Sequence, residues 1–422
     1  MVQYDRFTLP NGLRVLIHED DSTPMVAVNL CYYVGARDES EERTGFAHLF
    51  EHLMFSGTPT VPNFDDPLQL AGGENNAFTN NDITNFYAVL PAENLEVALW
   101  LESDRMMNLQ VTEQNLDVQR KVVVEEFKET CLNEPYGDVW HHLADLAYKV
   151  HPYRWPTIGK IPEHISEATL PDVQDFYQRF YRPNNAVLVI AGRVKVAETR
   201  ALVDKWFGAL PGGDTVQHIL PPEPPQALLQ QRVLNSNAPS PALYLAFHIP
   251  SRNDRDFYAV DLISDVLGNG PSSRLYRRLL KRQHLFAAID CYISGTIDPG
   301  LLIIEAKPVE GVTLERAHTA IWHELERLKT EGVSERELEK VQNKVESNLV
   351  FSEMSTLNKA INLAFFEILG NAELINQEGH LYRRVTTAQV QQKAQEILVS
   401  ENCSVVYYQP ELAATPAVAS PA

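Results

Sequence analysis

Short apolar runs and helical patterns alternate along the first half of the chain. The runs are rich in β-branched and aromatic residues and are bounded by turn residues, which is typical of strands. They predict strands at residues 14–18, 26–33, 77–79, 84–90 and 184–192. Apolar positions at helical spacing predict helices at residues 94–107 and 114–131, and a further helix that ends near residue 207.

The second half of the chain repeats this order of elements. Strands are predicted at residues 242–248, 287–294, 300–306 and 403–408, and helices from residue 256, at 272–281 and along 313–346. Residues 213–227 are rich in proline, which cannot continue a helix or a central strand. We therefore predict an α+β protein with two similar αβ domains, residues 1–212 and 228–410, joined by this linker. The Ala/Pro-rich tail, residues 411–422, is expected to be disordered.

The composition excludes several classes of protein. A chain of 422 residues is too long for a single ordinary core, and 44% hydrophobic with 22% charged residues is typical of a globular protein. The apolar runs are far shorter than a membrane span, so no transmembrane segment is expected. The formal net charge of −20 argues against a nucleic-acid partner, because proteins that bind nucleic acids carry basic patches.

The N-terminus and the cysteines indicate a cytoplasmic location. The first residues show neither the basic segment nor the apolar segment of a secretory signal. The four cysteines are widely scattered, without a C-x-x-C pair, so we expect reduced thiols rather than disulfides or zinc ligands. Both features are therefore expected of a cytoplasmic protein.

Residues 48–52, H-L-F-E-H, carry the spacing of a metal site. On a helix, His48 and His52 project from one face, one turn apart, where both imidazoles can reach one ion. Glu51 precedes the second histidine, so its carboxylate can approach a water held by that ion. The flanking residues are strongly apolar, and burying these polar side chains there is costly without a compensating partner. The pattern H-x-x-E-H is the signature of inverzincin zinc peptidases.

A third ligand is expected from the helix that contains residues 119–129. Catalytic zinc usually takes three protein ligands and keeps a fourth position for water. Helical periodicity places Gln119, Glu126 and Glu129 on one face, whereas Glu125 points away from it. Periodicity therefore leaves Glu126 and Glu129 as alternatives for the third ligand.

Several motifs together resemble those of the pitrilysin/insulinase family of zinc peptidases. They are G-A-R-D-E at 35–39, G-F-A-H-L-F-E-H-L-M-F at 45–55, G-G-E-N-N-A-F-T at 72–79, R-K-V-V-V-E-E at 120–126, Y-R-P-N-N at 181–185 and G-P-S-S-R-L at 270–275. The resemblance covers nearly the whole chain and is strongest to the short-chain, mitochondrial-processing-peptidase-like branch, in its zinc-bearing subunit. It implies two similar αβ domains, with mixed or antiparallel sheets packed with helices, that form half of a clamshell.

The resemblance also implies roles for the polar residues of the first half. The family's glutamate ligand lies six residues after Arg120, which is Glu126 in this chain, so one Zn²⁺ per chain would be held by His48, His52 and Glu126. Glu51 would act as the general base that takes a proton from the attacking water and passes it to the leaving amine. The activity implied is a zinc-dependent endopeptidase that cleaves peptides or unfolded, presequence-like segments.

Other positions would support the ligands or bind the substrate. Glu129 is a candidate for hydrogen bonding to the ligands, and so is Gln119, which stands where relatives often carry another glutamate. The positions that match the family's edge strand would pair with extended substrate by β-augmentation. These positions are Asn76, Ala77 and Thr79.

The second half departs from the pattern of active family members. Active members carry an arginine and, seven residues later, a tyrosine, which stabilise the oxyanion of the tetrahedral intermediate. Alignment from residues 272–275 puts Leu280 and Ala287 at these places, and neither side chain can donate a hydrogen bond. We therefore expect a heterodimer, in which a homologous non-zinc subunit supplies the arginine and the tyrosine.

Two alternative functions remain open on sequence grounds. The chain could be a self-sufficient homodimeric zinc peptidase whose oxyanion donors are other residues. It could also be a non-catalytic scaffold subunit that resembles the core proteins of respiratory complexes. The intact His48, Glu51, His52 and Glu126 argue against the scaffold, because degenerate relatives usually lack these residues.

Overall fold

The computed structural model describes residues 1–410, and the predicted tail at 411–422 lies outside the described residues. The strands of this part of the chain are β1 Asp5–Thr8, β2 Arg14–Glu19, β3 Met25–Tyr32, β4 Glu74–Thr79, β5 Thr84–Pro91, β6 Ala186–Gly192, β7 Gln230–Ser236, β8 Ala242–His248, β9 Phe286–Ile293, β10 Leu301–Pro308 and β11 Cys403–Pro410. The α-helices are α1 Phe46–Leu53, α2 Asp65–Leu70, α3 Leu95–Asn108, α4 Glu113–Phe127, α5 Val139–Ala147, α6 Glu163–Ser166, α7 Leu170–Phe180, α8 Val196–Phe207, α9 Phe257–Leu267, α10 Leu314–Glu331, α11 Glu335–Ser352, α12 Thr356–Ile368, α13 Leu374–Arg383 and α14 Thr387–Ile397.

The strands form two mixed sheets that share one topology. The first sheet has the order β1-β2-β6-β3-β5-β4 and the second has the order β7-β11-β8-β10-β9. Without β1, the two orders correspond strand for strand, and in each sheet only the β2/β6 or β7/β11 pair is parallel. The prediction of an α+β fold with two similar αβ domains is confirmed.

Contacts divide the chain into two compact units, each of which is discontinuous in sequence. The first unit contains residues 1–128, 148–224 and 339–385, and the second contains, of the described residues, 129–147, 225–338 and 386–410. The expected domains, 1–212 and 228–410, were continuous, so this grouping differs from them in two segments. Residues 211–227, which include the predicted linker, form no helix or strand. Within this stretch, the boundary between the two units falls after residue 224.

The segment 339–385 belongs to the first unit because it covers one face of the first sheet. Strand β6 is buried along its whole length. Its residues Leu188 and Ile190 pack into the same core cluster as Phe50 of α1. The alternate residues, Val187 and Val189, pack into a second cluster with α12. Alternation along a strand thus places α1 and α12 on opposite faces of this sheet.

Helix boundaries differ from the predicted ones where the backbone leaves the α-helical conformation. The stretch predicted at 313–346 is two helices, α10 and α11, because Gly332 has a φ of +67° and ends α10. The predicted helix at 114–131 is α-helical only to Phe127 and continues as the π-helical segment Lys128–Asn133. The helix predicted at 272–281 overlaps a second π-helical segment, Tyr276–Arg282.

Two expectations about covalent and membrane features can be compared with the described residues. All four cysteines lie in this part of the chain, all are buried, and none forms a disulfide. No helix within residues 1–410 is both long enough and apolar enough to cross a membrane.

Candidate metal centre

Helix α1 carries the three polar residues of the H-x-x-E-H pattern on one side. Its apolar residues are buried in the core of the first unit, which leaves His48, Glu51 and His52 half-buried. The helix begins after Gly45, whose φ is +86° and at which an added Cβ would lie 2.8 Å from the carbonyl oxygen of Ile158. Glycine is therefore required at this position, both for the conformation and for the close approach of the backbone.

Helix α4 brings Glu126 to the two histidines. Its Oε2 atom lies 3.2 Å from Nε2 of His48 and 3.5 Å from Nε2 of His52. The three ligand atoms all lie within 4.8 Å of one another, and no other set of three potential ligand residues in the described part of the chain is so compact. Zinc bonds of roughly 2.0–2.1 Å in a tetrahedral site put ligand atoms about 3.4 Å apart, so this donor set fits such an ion.

The two histidines stabilise the charged form of the Glu126 carboxyl group. Hydrogen bonds with His48 and, second, His52 hold the pKa of the Glu126 carboxyl far below its usual range. The Glu126 side chain is 38% exposed, whereas those of His48 and His52 are 15% and 25% exposed. The group formed by this carboxylate and the two imidazoles is open to solvent on one side, which leaves room for a water or a substrate atom.

Strand β4 makes a hydrogen bond to Glu51, the remaining polar residue of α1. The hydroxyl of Thr79, the last residue of β4, donates a 2.6 Å hydrogen bond to Oε2 of Glu51. The same hydroxyl lies 3.4 Å from Oγ1 of Thr84, the first residue of β5. The orientation of the Glu51 carboxylate is therefore set by a neighbouring strand as well as by its own helix.

Strand β4 is the last strand of its sheet. It pairs with β5 and with no other described strand, so its second backbone edge is open to an extended segment. Of the three residues predicted to bind substrate, Asn76 is exposed, and Ala77 and Thr79 are half-buried. The side chains of Asn76 and Thr79 already have partners, because Asn76 accepts a hydrogen bond from the Ala77 amide and Thr79 donates to Glu51.

The other acidic and amide candidates of α4 are placed less favourably. Glu125 faces solvent, with its carboxylate 2.6 Å from Nζ of Lys128. Gln119 is half-buried two turns before Glu126, and within the described residues it makes no hydrogen bond to the three potential ligands. Glu129 is exposed at the start of the π-helical segment. The structure thus brings Glu126, and not Glu129, to the two histidines, a distinction that periodicity could not make.

In the second unit, Leu280 and Ala287 line one cavity. Its volume is about 470 Å³, and it lies between the π-helical segment Tyr276–Arg282 and the edge strand β9. Of the arginines near these positions, Arg278 donates to the buried carboxylate of Glu324 at 2.5 Å. Arg277 and Arg282 are exposed. The two positions expected to hold an arginine and a tyrosine therefore border empty space in this unit.

The sequence singles out residues 35–39 only by their resemblance to a family motif, yet in the structure three of them make polar contacts around α1. Arg37 is buried and lies 3.1 Å from Asp82, and Asp38 lies 2.7 Å from Nδ1 of His218. The next residue, Glu39, is bonded to the start of α1 itself. Sequence spacing cannot predict the partners of these three consecutive charged side chains, because each partner is distant or irregularly placed along the chain.

Comparisons with known proteins agree with this architecture. A family model described as Insulinase (Peptidase family M16) matches residues 14–160, and one described as Peptidase M16 inactive domain matches residues 167–345. A crystal structure of a protease from Helicobacter pylori matches with a TM-score of 0.92 and 26% identity, over 97% of this chain and 100% of that chain.

Three relatives give the sequence similarity. Zinc protease PqqE of Helicobacter pylori is 29% identical over 345 residues, which are 80% of this chain and 78% of that protein. An uncharacterized zinc protease of Mycobacterium leprae is 30% identical over 320 residues, or 72% and 69% of the two chains. A probable mitochondrial-processing peptidase subunit beta of Arabidopsis thaliana is 27% identical over 357 residues, or 81% and 66%. The resemblance inferred from the motifs is confirmed, and the chain belongs to the pitrilysin/insulinase family of peptidases, peptidase family M16.

Proposed function

We propose that this protein is a zinc-dependent endopeptidase subunit that cleaves extended peptides or unfolded, presequence-like segments. One observation carries the proposal: the donor atoms of His48, His52 and Glu126 lie within 4.8 Å of one another, and the carboxylate of Glu51, on the same helix as the two histidines, accepts a hydrogen bond from Thr79. Membership of a peptidase family and the names of the relatives as zinc proteases support the same reaction. One zinc ion per chain would be bound by the three converging side chains.

The residues of this chain divide the chemistry between them. When bound, zinc supplies a Lewis acid that polarises a carbonyl and lowers the pKa of water toward neutrality. Glu51 accepts the proton of the attacking water and later delivers it to the amine that leaves. The hydroxyl of Thr79 keeps the Glu51 carboxylate in one orientation during both transfers, because it donates to Oε2.

The substrate is proposed to lie along β4. The open edge of this strand offers backbone N–H and C=O groups to an added strand, and main-chain hydrogen bonds read extended shape more than side-chain identity. Asn76 and Ala77 are the residues of this edge that would flank the added strand. The hydroxyl of Thr79 is directed at Glu51 instead, so we assign this side chain to orienting the base rather than to binding peptide.

We further propose that activity requires a partner subunit. Leu280 and Ala287 cannot donate hydrogen bonds to an oxyanion, and the nearby Arg278 is paired with Glu324. A homologous non-zinc chain that carries an arginine and a tyrosine at these two positions would complete the site. The relative from Arabidopsis thaliana that is named as a subunit supports an assembly of this kind.

Metal analysis and a peptide assay test this function. The purified chain, alone and with its candidate partner, is analysed for bound zinc and assayed with an unstructured fluorogenic peptide. We expect one equivalent of zinc and hydrolysis by the pair that chelation abolishes and added zinc restores. Hydrolysis that persists unchanged in the metal-free pair would refute a zinc peptidase, and a pair that binds zinc but never cleaves would favour a scaffold.

A further inference from the structure

Glu39 is bonded directly to the start of the metal-bearing helix. Its two carboxyl oxygens accept backbone hydrogen bonds from different residues, Oε2 from the Gly45 amide and Oε1 from the Ala47 amide, both at 2.8 Å. The residue is 8% exposed, so water does not compete for these bonds. Both oxygens of a buried side chain are thus directed at one helix terminus.

The first turn of α1 depends on such a partner. The first N–H groups of a helix have no acceptor within it, and a helix of eight residues has few internal bonds to compensate. A carboxylate at this terminus also interacts favourably with the helix dipole. His48 is the third residue of α1 and so belongs to this first turn, whereas His52 lies one turn further along.

Burial and hydrogen bonding act on Glu39 in opposite directions. Burial is the larger effect and raises the pKa of the Glu39 carboxyl to about 8, and the N–H groups of Ala47 and Gly45 oppose it. The neighbouring Asp38 raises the pKa further, and Trp155 lowers it. Burying a carboxyl group is costly, and both oxygens of this one accept hydrogen bonds. Glu39 therefore stabilises the start of α1 through these directed bonds rather than through the burial of apolar surface.

We propose that Glu39 is a positioning residue of the metal centre: its carboxyl group fixes the first turn of α1 and thereby the ring of His48 opposite Glu126. The proposal rests on the metal site proposed above and extends it to a residue that touches neither the ion nor the substrate. The position of His48 then depends on Glu39 more than the position of His52 does. Loss of a residue that orients a metal ligand typically weakens metal binding about 10- to 100-fold.

The test compares two buried carboxylates of the first unit. Glu39→Gln keeps the size of the side chain but leaves one oxygen to accept two N–H groups. The control, Glu102→Gln, alters a carboxylate that is 1% exposed and accepts its bonds from Arg105 of the same helix, α3, instead of from α1. Zinc affinity is measured by competition with a chromophoric chelator above the pKa of Glu39, together with thermal unfolding and amide hydrogen exchange of the metal-free proteins.

We expect Glu39→Gln to bind zinc about 10- to 100-fold more weakly and to exchange the Ala47 amide faster than the wild type. Glu102→Gln should lose thermal stability but keep the wild-type zinc affinity. Equal zinc affinity of Glu39→Gln and the wild type would show a purely structural role and overturn the inference. Absence of zinc binding by the wild type would instead overturn the proposed function.

Two further measurements keep the inference testable if Glu39→Gln does not fold. Glu39→Asp retains the charge on a shorter side chain and should bind zinc more weakly than the wild type, and equal zinc affinity of the two would overturn the inference. In the wild-type metal-free protein, the amides of Gly45 and Ala47 should exchange slowly. Rapid exchange of both amides there would overturn the inference without any variant.

Discussion

The hydroxyl of Thr79 lies 2.6 Å from Oε2 of Glu51, so the last residue of the edge strand β4 orients the carboxylate of α1. The strand proposed to receive the substrate and the side chain proposed to move the proton are therefore joined by one hydrogen bond. A peptide that pairs with β4 is positioned by the same strand that positions the base. Reacting groups held in this way have less freedom to misalign.

Removing this hydroxyl should slow catalysis without weakening zinc binding. A hydrogen bond to a charged group contributes roughly 1.5–3 kcal/mol, so Thr79→Val is expected to lower kcat about 10- to 100-fold with little change in KM. Thr79→Ser keeps the donor and should recover most of the rate. Steady-state kinetics on the assembled enzyme, with zinc content measured in parallel, decide the point. A large rise in KM for Thr79→Val would instead assign the residue to substrate binding.

Glu51→Gln should fold and bind zinc normally yet lose most of its activity. The amide cannot accept the proton of the attacking water, and general-base catalysis typically contributes about 10²- to 10⁴-fold. Because Glu51 is not among the three converging ligand side chains, the zinc content should stay at the wild-type value. Turnover close to that of the wild type would mean that another group acts as the base.

His52→Ala should abolish stoichiometric zinc binding, and Glu126→Gln should weaken it strongly. The three donors converge on one point, so the loss of either residue leaves two ligands where zinc takes three. Glu125→Gln is the matched control, since this neighbouring carboxylate faces solvent beside Lys128. Metal analysis after dialysis distinguishes the variants, and full occupancy of His52→Ala would contradict the ligand assignment.

The isolated chain should bind zinc but hydrolyse peptides poorly, and adding its partner should restore turnover. Losing one oxyanion donor typically costs about a hundredfold to a thousandfold in rate, and Leu280 and Ala287 leave two donors missing. Replacing the exposed Arg277 or Arg282 in the isolated chain should not change its residual rate. Robust cleavage by the chain alone would favour the self-sufficient homodimer.

Local pattern was enough to predict most central strands and the spacing on α1. The strand predicted at residues 242–248 has the bounds of β8, because a continuous apolar run that is buried on both faces is visible in the sequence. By contrast, β7 was missed. Its sequence is largely polar, its side chains alternate between half-buried and exposed, and it becomes a strand by pairing with β11, far away in the sequence.

The candidate site divides in the same way. His48, Glu51 and His52 are fixed relative to one another by a single helix, so spacing alone relates them. Glu126 and Glu129 share one face of the predicted helix, and only the packing of α4 against α1 and the change to π-helix after Phe127 distinguish them. The contacts of Thr79 and Glu39 depend on tertiary structure, which no sequence period encodes.

The placement of α12 has a consequence for the order in which the protein can mature during synthesis. Strands β1–β6 leave the ribosome early, but the side of their sheet that includes Val187 and Val189 is covered by a helix that is synthesised after β7–β10. An apolar sheet face without its cover is prone to association with other chains. One face of the first sheet therefore stays uncovered until most of the second sheet has been synthesised. A protein shortened before α12 would lack the helix that covers this face.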